Sequence, residues 1–366
     1  MSDSIIRTTA ALNSVCEKAR SCGVIALDTE FVWIRTYRPQ LGIVQIAAGD
    51  ECWALDCLTG VDTTALRAVI EDASVVKVLH DARQDMTLLR RYTGATPRNV
   101  FDTQLAAAFS GFRSGIGLQT LLFEACGIGL PKTETCTDWT QRPLTEAQID
   151  YALDDVRYLD RLRGVLVDKA RELGTLAWLE EELLKYDDSE LYVDYDPERV
   201  WQRIKLFRTR LDGRGFAVLR AVAICREENA RKWNLPRNWL GDDASLVDMA
   251  VAKRVQRLHH RVNGGQAETI KSMYASAIKE AIEIPEEELP DDPHRRYIRE
   301  VLDSADDALA WLDERAAEIN VDSGLIASRA VVTAYVDDVN DDTNPLACGW
   351  RYETVGREMA ERFGVE

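Results

Sequence analysis

An α/β domain built on a mixed sheet flanked by helices, followed by two all-helical domains, is the architecture this 366-residue sequence predicts. Three features predict it. Apolar runs at 24–31, 42–48 and 52–56 follow one another closely and then give way to alternating helical and extended patterns. The stretch LTEAQIDYALDDVRYLDRLRGVL and the patterns that follow 186–197 read as helical, and the net charge changes sign twice along the chain. The length suits two or three domains rather than one.

Val24, Ile25, Ala26 and Leu27 form an apolar run that continues through Thr29 to Phe31 without a breaker, so 24–31 reads as a strand. Strand side chains alternate, which puts Asp28 and Glu30 on one face. Neighbouring carboxylates in an apolar strand raise each other's pKa unless a cation or donor compensates them. A strand ending at a solvated rim is the competing explanation of a lone D-x-E. Strands at 42–48 and 52–56 follow, then a helix near 63–72, a strand at 74–79 (SVVKVL) and a helix reaching Tyr92. Asp85 falls in the first turn of that helix, where a carboxylate ordinarily caps or complements the dipole. A short strand at 100–102 ends in Asp102, which reads as an N-cap rather than a metal ligand.

The stretch LTEAQIDYALDDVRYLDRLRGVL has apolar positions at Ile149, Leu153, Val156 and Leu159 in helical spacing, and Thr145 with Gln148 resembles a capping box. Tyr151 and Asp155 are i and i+4, stacked on one face; Asp154 lies near that face and is the alternative to Asp155.

Charge divides the rest. Residues 199–280 carry 17 basic and 8 acidic side chains, whereas 1–198 and 281–366 are net acidic and the whole chain is −17. The run RVWQRIKLFRTRLDGRGF, with Arg203, Lys205, Arg208 and Arg210, has a sign opposite to both neighbours, which favours a nucleic-acid patch over a merely solvated helix face. YDDSELYVDYDP at 186–197 reads as a linker, and IPEEELPDDP at 284–293 as a second break. The expected domains are therefore 1–193, 197–282 and 290–366. Eight cysteines without a CxxC pair suggest neither zinc nor disulfides, and no apolar leader or membrane span is evident. The expectation is a soluble cytoplasmic protein with no membrane partner, a monomer being favoured. Oxygen-only ligands favour Mg²⁺ or Mn²⁺ over zinc.

The D-T-E at 28–30, the His80-x4-Asp85 after a strand, and Tyr151-x3-Asp155, in this order, resemble the three exonuclease motifs of the DEDD superfamily, tyrosine subtype. Longer stretches, LDTEFVWIRTYRPQLGIVQIA at 27–47, FDTQLAAAF at 101–109 and TDWTQRPLTEAQIDYALDDVRYL at 137–159, are similar to the ribonuclease D family, and the likeness continues more weakly to the C-terminus. One departure is His80-Asp81-Ala82, where the family commonly has His-Ala-Gly.

The resemblance implies a ribonuclease H-like exonuclease fold followed by two HRDC-like domains, the second divergent, its acidity suiting packing rather than phosphate binding. It implies a 3′–5′ exoribonuclease that releases nucleoside 5′-monophosphates from the 3′ ends of tRNA precursors and other small structured RNAs, using two divalent cations. Asp28 would bridge both ions, Glu30 and Asp155 would bind the nucleophile-side ion, Asp85 would hold the other through water, and Tyr151 would orient the attacking water. A phenol with pKa near ~10 is a poor general base at neutral pH, so positioning is the role to assign. Thr29 and Phe31 flank the ligands where the family contacts the terminal nucleotide, although Phe31 also alternates with Ile25 and Leu27 toward a core. His80 is equally a phosphate contact or a satisfied strand-end histidine, and Trp139 and Arg142 are candidates to line the substrate path. A DNA-directed exonuclease and a catalytically silent RNA-binding adaptor are the competing functions. The HRDC-like tail speaks against the first, and the retained carboxylates and Tyr151 against the second.

Overall fold

The computed structural model describes residues 4–130, 137–193, 196–206, 209–256, 258–293 and 297–365. In chain order its first elements are β1 (Ile5–Ile6), α1 (Thr9–Cys22), β2 (Val24–Val32), β3 (Gln40–Ala48), β4 (Glu51–Asp56), α2 (Thr64–Ile70), β5 (Val76–Leu79), α3 (Ala82–Thr93), β6 (Val100–Asp102), α4 (Thr103–Phe109), α5 (Leu118–Cys126), α6 (Glu146–Arg157), α7 (Leu159–Leu173) and α8 (Leu176–Leu183). One six-stranded sheet has the order β1-β4-β3-β2-β5-β6. β3 and β4 pair antiparallel, while β1 with β4, β2 with β5, and β5 with β6 are parallel. The mixed sheet is the one expected; β1 and α1 were not, the two-residue β1 being too short to carry a periodic signal.

Alternation along β2 builds both cores. Ile25 and Leu27 join Val44 and Ile46 with Leu12, Leu66 and Met86 from the helices on one face. Ala26 joins Ala47 and Val78 with Phe109, Leu162 and Leu166 on the other. Each fully buried aliphatic side chain contributes about 1.5–3 kcal/mol relative to exposure, so the central strands are fixed from both sides.

Two sequence expectations are corrected. The single helix expected from Thr145 onward is two, separated at Tyr158, whose φ of −111° and ψ of 1° leave the helical region. Successive i+3 steps from Leu153 to Leu162 drift about 60° each around a straight helix, and the break returns Leu159, Leu162 and Leu166 to one core. The acidic stretch expected to be a linker is packed as far as Tyr192. It forms two 3₁₀ turns, Leu184–Asp187 and Ser189–Tyr192. Tyr186 and Tyr192 are buried; Tyr192 Oη donates to the Tyr186 carbonyl at 2.7 Å and Tyr186 Oη donates to Asp102. Aromatic anchors outweigh the acidic composition that suggested a tether.

The chain falls into two compact units. One combines the segment up to Val32 with Leu41–Val193 and the segment from Tyr297; the other combines Trp33–Gln40 with the helical region that follows residue 193. In the second, α9 (Gly213–Trp233), α10 (Arg237–Leu240), α11 (Asp243–Ala252) and α12 (Gly264–Glu283) surround Phe216, Leu219, Val222, Leu246, Ile270 and Tyr274. Asp212 caps α9 by accepting from the Gly215 N–H at 2.6 Å. Of the patch residues, Arg203, Lys205 and Arg210 are exposed; Arg208 lies outside the described residues.

The C-terminal helices, α13 (Arg299–Glu318), α14 (Ser323–Ile326), α15 (Arg329–Asp337), α16 (Gly349–Arg351) and α17 (Arg357–Phe363), belong to the first unit. Trp350 fastens them to α8 and α4. Its ring stacks on Trp178 at 5.4 Å and meets Phe109 edge-on at 5.5 Å. Its Nε1–H donates to Glu182 at 2.9 Å, and Arg351 pairs with the same carboxylate. Among the described residues, no helix is long and apolar enough to cross a membrane.

Trp350→Ala should lower the unfolding free energy of the first unit by about 3–5 kcal/mol, measured as an earlier urea midpoint; an unchanged midpoint would mean the C-terminal helices are not anchored there.

Candidate active site

The carboxyl end of β2 and the start of α3 place the acidic residues. Asp28 and Glu30 share the β2 face of Ala26, while Thr29 points to the opposite side and is buried. Asp85 lies in the first turn of α3 and is 8% exposed. The Thr29 hydroxyl donates to Asp85, tying strand to helix across 56 residues of sequence. That bond commits the hydroxyl hydrogen of Thr29 to holding Asp85. Phe31 is half-buried near the end of β2.

The geometry of α3 depends on a residue that motif reading assigned only a cap. Asp102 accepts from Gln104 N–H at 2.9 Å and Leu105 N–H at 3.3 Å, capping α4 as expected, and also from the backbone N–H groups of Asp81 and Ala82, each at 3.0 Å. One carboxylate therefore serves the starts of two helices. Asp81, where the sequence departs from His-Ala-Gly, adopts a left-handed conformation with φ 60°, which aspartate tolerates better than most residues.

α6 supplies the other half. Thr145 and Gln148 form the expected capping box, and Tyr151 and Asp155 share a face, the phenol donating to the carboxylate. Asp154 turns away and pairs with Arg157 at 3.0 Å, which removes it as the alternative to Asp155.

The four carboxylates act on one another. Burial, then the charges of Asp85, Asp155 and Glu30, push Asp28 well above the usual carboxylate range. Burial, then Asp155 and Asp85, raise Glu30 to about 8. Burial raises Asp155 to about 7 against the Tyr151 hydrogen bond, and raises Asp85 against the bond from Thr29. Tyr151 is pushed up first by burial and then by Asp155, Glu30 and Asp28, so it stays protonated at neutral pH. Among the described residues, no three His, Cys, Asp or Glu side chains already meet at coordination distance of one point. Electrostatic influence reaches farther than coordination, so the charges of Asp85, Asp155 and Glu30 act on Asp28 although no three of these groups meet at one point. The donor set, oxygen throughout, suits a hard divalent ion.

Three of the expected substrate contacts, His80, Trp139 and Arg142, make extensive internal contacts. His80 is committed on both ring nitrogens, Nδ1 to Thr103 Oγ1 at 2.9 Å and Nε2 to the Ile116 carbonyl at 3.0 Å, and burial lowers its pKa. No ring nitrogen is left for a phosphate. Trp139 is 3% exposed and stacks on Tyr151 at 6.3 Å, so it backs the phenol instead of lining a path. Arg142 uses all five N–H donors internally. Nε and Nη2 fork onto Asp56 at 2.8 and 2.7 Å, Nη1 donates to the Trp139 and Gln141 carbonyls, and Nη2 also reaches the Gly42 carbonyl at 3.0 Å. The loop carrying Trp139 is thereby locked against β3 and β4. Gly42 is required where it passes, because a Cβ there would lie 2.5 Å from the Trp139 carbonyl oxygen. Asp56, 86 residues from Arg142, carried no motif signal.

A mixed sheet presenting acidic residues at the end of β2, with a tyrosine and an aspartate on a facing helix, defines a nuclease of the 3′–5′ exonuclease class, and the 3′-5′ exonuclease family matches residues 4–171. The chain is 38% identical over 316 residues to ribonuclease D of Desulfotalea psychrophila, covering 85% of this chain and 83% of that one, and 32% identical over 363 residues to ribonuclease D of Zymomonas mobilis, covering 97% and 92%. The crystal structure of Escherichia coli RNase D, described as an exoribonuclease involved in structured RNA processing, superposes with a TM-score of 0.87 at 28% identity over the whole of both chains. The chain belongs to the ribonuclease D family and is a 3′–5′ exoribonuclease. Its fold is the ribonuclease H-like exonuclease sheet followed by HRDC-type helical regions.

The Arg142 fork generates a pH-dependent prediction. Burial raises the Asp56 pKa, but the hydrogen bonds from Arg142 and Leu58 N–H and the charges of Arg142 and Arg7 more than offset it, and the net shift is downward. A depressed folded-state value means stability present above the unfolded pKa of about 3.9 and lost as pH falls through the lower folded value. Asp56→Asn should therefore destabilise by roughly 3 kcal/mol at pH 7, with the gap to wild type shrinking below pH 4; urea titrations at both pH values measure it, and a constant gap would contradict it.

Proposed function

We propose that Asp28, Glu30, Asp85 and Asp155 hold two divalent cations, Mg²⁺ or Mn²⁺, and that the enzyme thereby removes nucleoside 5′-monophosphates from RNA 3′ ends. The observation that carries this reading is that Asp28 and Glu30 are raised by burial and by the charges of Asp85 and Asp155, with hydroxyl or backbone donors but, among the described residues, no cationic side chain acting on any of the four carboxylates. Uncompensated buried charge of one sign is what a cation would relieve. When bound, such ions supply an activated water and offset the charge of the scissile phosphate.

The remaining work falls to the chain's own groups. Tyr151, protonated and backed by Trp139, orients a water or phosphate oxygen through its hydroxyl instead of abstracting a proton. Thr29 fixes Asp85. Phe31 is the residue we place against the terminal nucleotide, since its ring remains partly accessible at the end of β2. We assign catalysis to residues 1–193, RNA holding to 197–282 through exposed Arg203, Lys205 and Arg210, and packing to 290–366, whose Trp350 contacts support that role. The substrates are 3′ ends of tRNA precursors and other small structured RNAs, in keeping with the structured-RNA processing described for the Escherichia coli relative.

Asp28→Asn should abolish release of 5′-monophosphates from end-labelled tRNA precursor. It should also remove the rise in unfolding midpoint that Mn²⁺ gives the wild type, while Tyr151→Phe keeps that rise and loses roughly 100-fold in kcat. Turnover by Asp28→Asn at the wild-type rate refutes the assignment. Neutralising Lys205 and Arg210 together should flatten the salt dependence of RNA binding by about 0.7 per lost phosphate contact; an unaltered slope would make this run an ordinary solvated surface.

A further inference from the structure

The helical unit contains a cleft of about 640 Å³ that includes none of the catalytic carboxylates. One wall is the segment that leaves β2 after Val32, anchored by Tyr37. The Tyr37 hydroxyl donates to buried Glu227, its backbone N–H donates to Asn234 Oδ1 at 3.2 Å, and the guanidinium groups of Arg231 and Arg237 lie over its ring at 5.7 and 5.6 Å. Trp33 stands at the cleft with a side chain 60% exposed, and its Nε1–H donates to the Tyr37 carbonyl at 3.3 Å. The indole is thus held by its polar edge while the residue remains largely exposed. An exposed tryptophan fixed in orientation is unusual on a surface with no use for it.

The charges of the cleft decide what it fits. Three arginines, Arg203, Arg226 and Arg237, face Glu227, Asp242 and Asp243. Arg226 pairs with Asp243 at 2.8 Å and Arg237 with Glu227 at 2.8 Å, so most of the positive charge is already answered. A bare phosphate would meet carboxylates there. A flat neutral group with donors and acceptors on its edge suits the lining better. Asn238 offers both amide functions, and Arg226, 6% exposed, has an Nε with no hydrogen-bond partner. At the rim, Arg203 leads to exposed Lys205 and Arg210, the run assigned above to the RNA backbone.

We infer that this cleft is a nucleobase site, in which one base of a bound RNA strand stacks on Trp33 while the neighbouring phosphates run along Arg203 and Lys205. The inference deepens the RNA-holding role assigned to residues 197–282 and rests on that reading. The continuity of the cleft with the basic run favours a base within RNA over a free mononucleotide.

The test uses the full chain and labelled single-stranded oligoadenylate, with divalent cations withheld so that the RNA is not cut, and anisotropy read at several salt concentrations. Trp33→Ala should weaken binding roughly tenfold at every salt concentration without changing the salt slope, because stacking releases no counterions, and Trp33→Phe should retain most of the affinity. Unchanged affinity in Trp33→Ala, or equal loss in Trp33→Phe, overturns the stacking site. Displacement of the oligonucleotide by adenosine 5′-monophosphate at matched nucleotide concentration overturns the RNA assignment in favour of a free-nucleotide site. Failure of the basic-run reading is separately visible, since it leaves the salt slope of the Lys205 and Arg210 variant at the wild-type value and does not touch the Trp33 comparison.

Discussion

Like charges forced together at the end of β2 are the constraint on which the rest of the first unit depends. Asp28 and Glu30 cannot separate, because strand alternation fixes both on one face, and Asp155 and Asp85 are brought to them from two different helices. Each carboxyl is raised by burial, and Asp28 and Glu30 are also raised by their acidic neighbours. Such an arrangement opposes folding unless the surrounding scaffold is stiff enough to hold it. The two-sided core around β2 and the bonds made by Thr29, Asp102 and Arg142 are that scaffold.

Those supports act through backbone and loop placement. Asp102 sets the start of α3, which carries Asp85; the Arg142 fork sets the loop, which carries Trp139, which backs Tyr151. Trp139 and Arg142 thus support the position of Tyr151 through contacts of their own. A conservative change at Arg142 or Trp139 is expected to act on the orientation of Tyr151, and hence on rate, before it acts on any contact with RNA.

Local patterns were legible in the sequence wherever one period carried them. The D-x-E face, the Tyr151 to Asp155 spacing, the Thr145 to Gln148 capping box and the Asp102 cap all follow from strand or helix geometry over a few residues. What was not legible depends on partners far apart in the chain. His80 meets the Ile116 carbonyl, Arg142 meets Asp56, and Tyr186 meets Asp102 across 84 residues. The same holds for the acidic stretch around Tyr186 and Tyr192, where composition suggested a tether and two buried aromatics made packed structure. It holds also for Trp33–Gln40, which follows a catalytic strand in sequence yet belongs to the helical unit through Tyr37.

The most direct measurement is anomalous diffraction from crystals of the full chain soaked with Mn²⁺. The account predicts two peaks, spaced by ~3.5 to 4 Å, ligated by Asp28, Glu30 and Asp155 with Asp85 nearby. Density confined to other acidic surfaces, with the four carboxylates left uncoordinated, would contradict it.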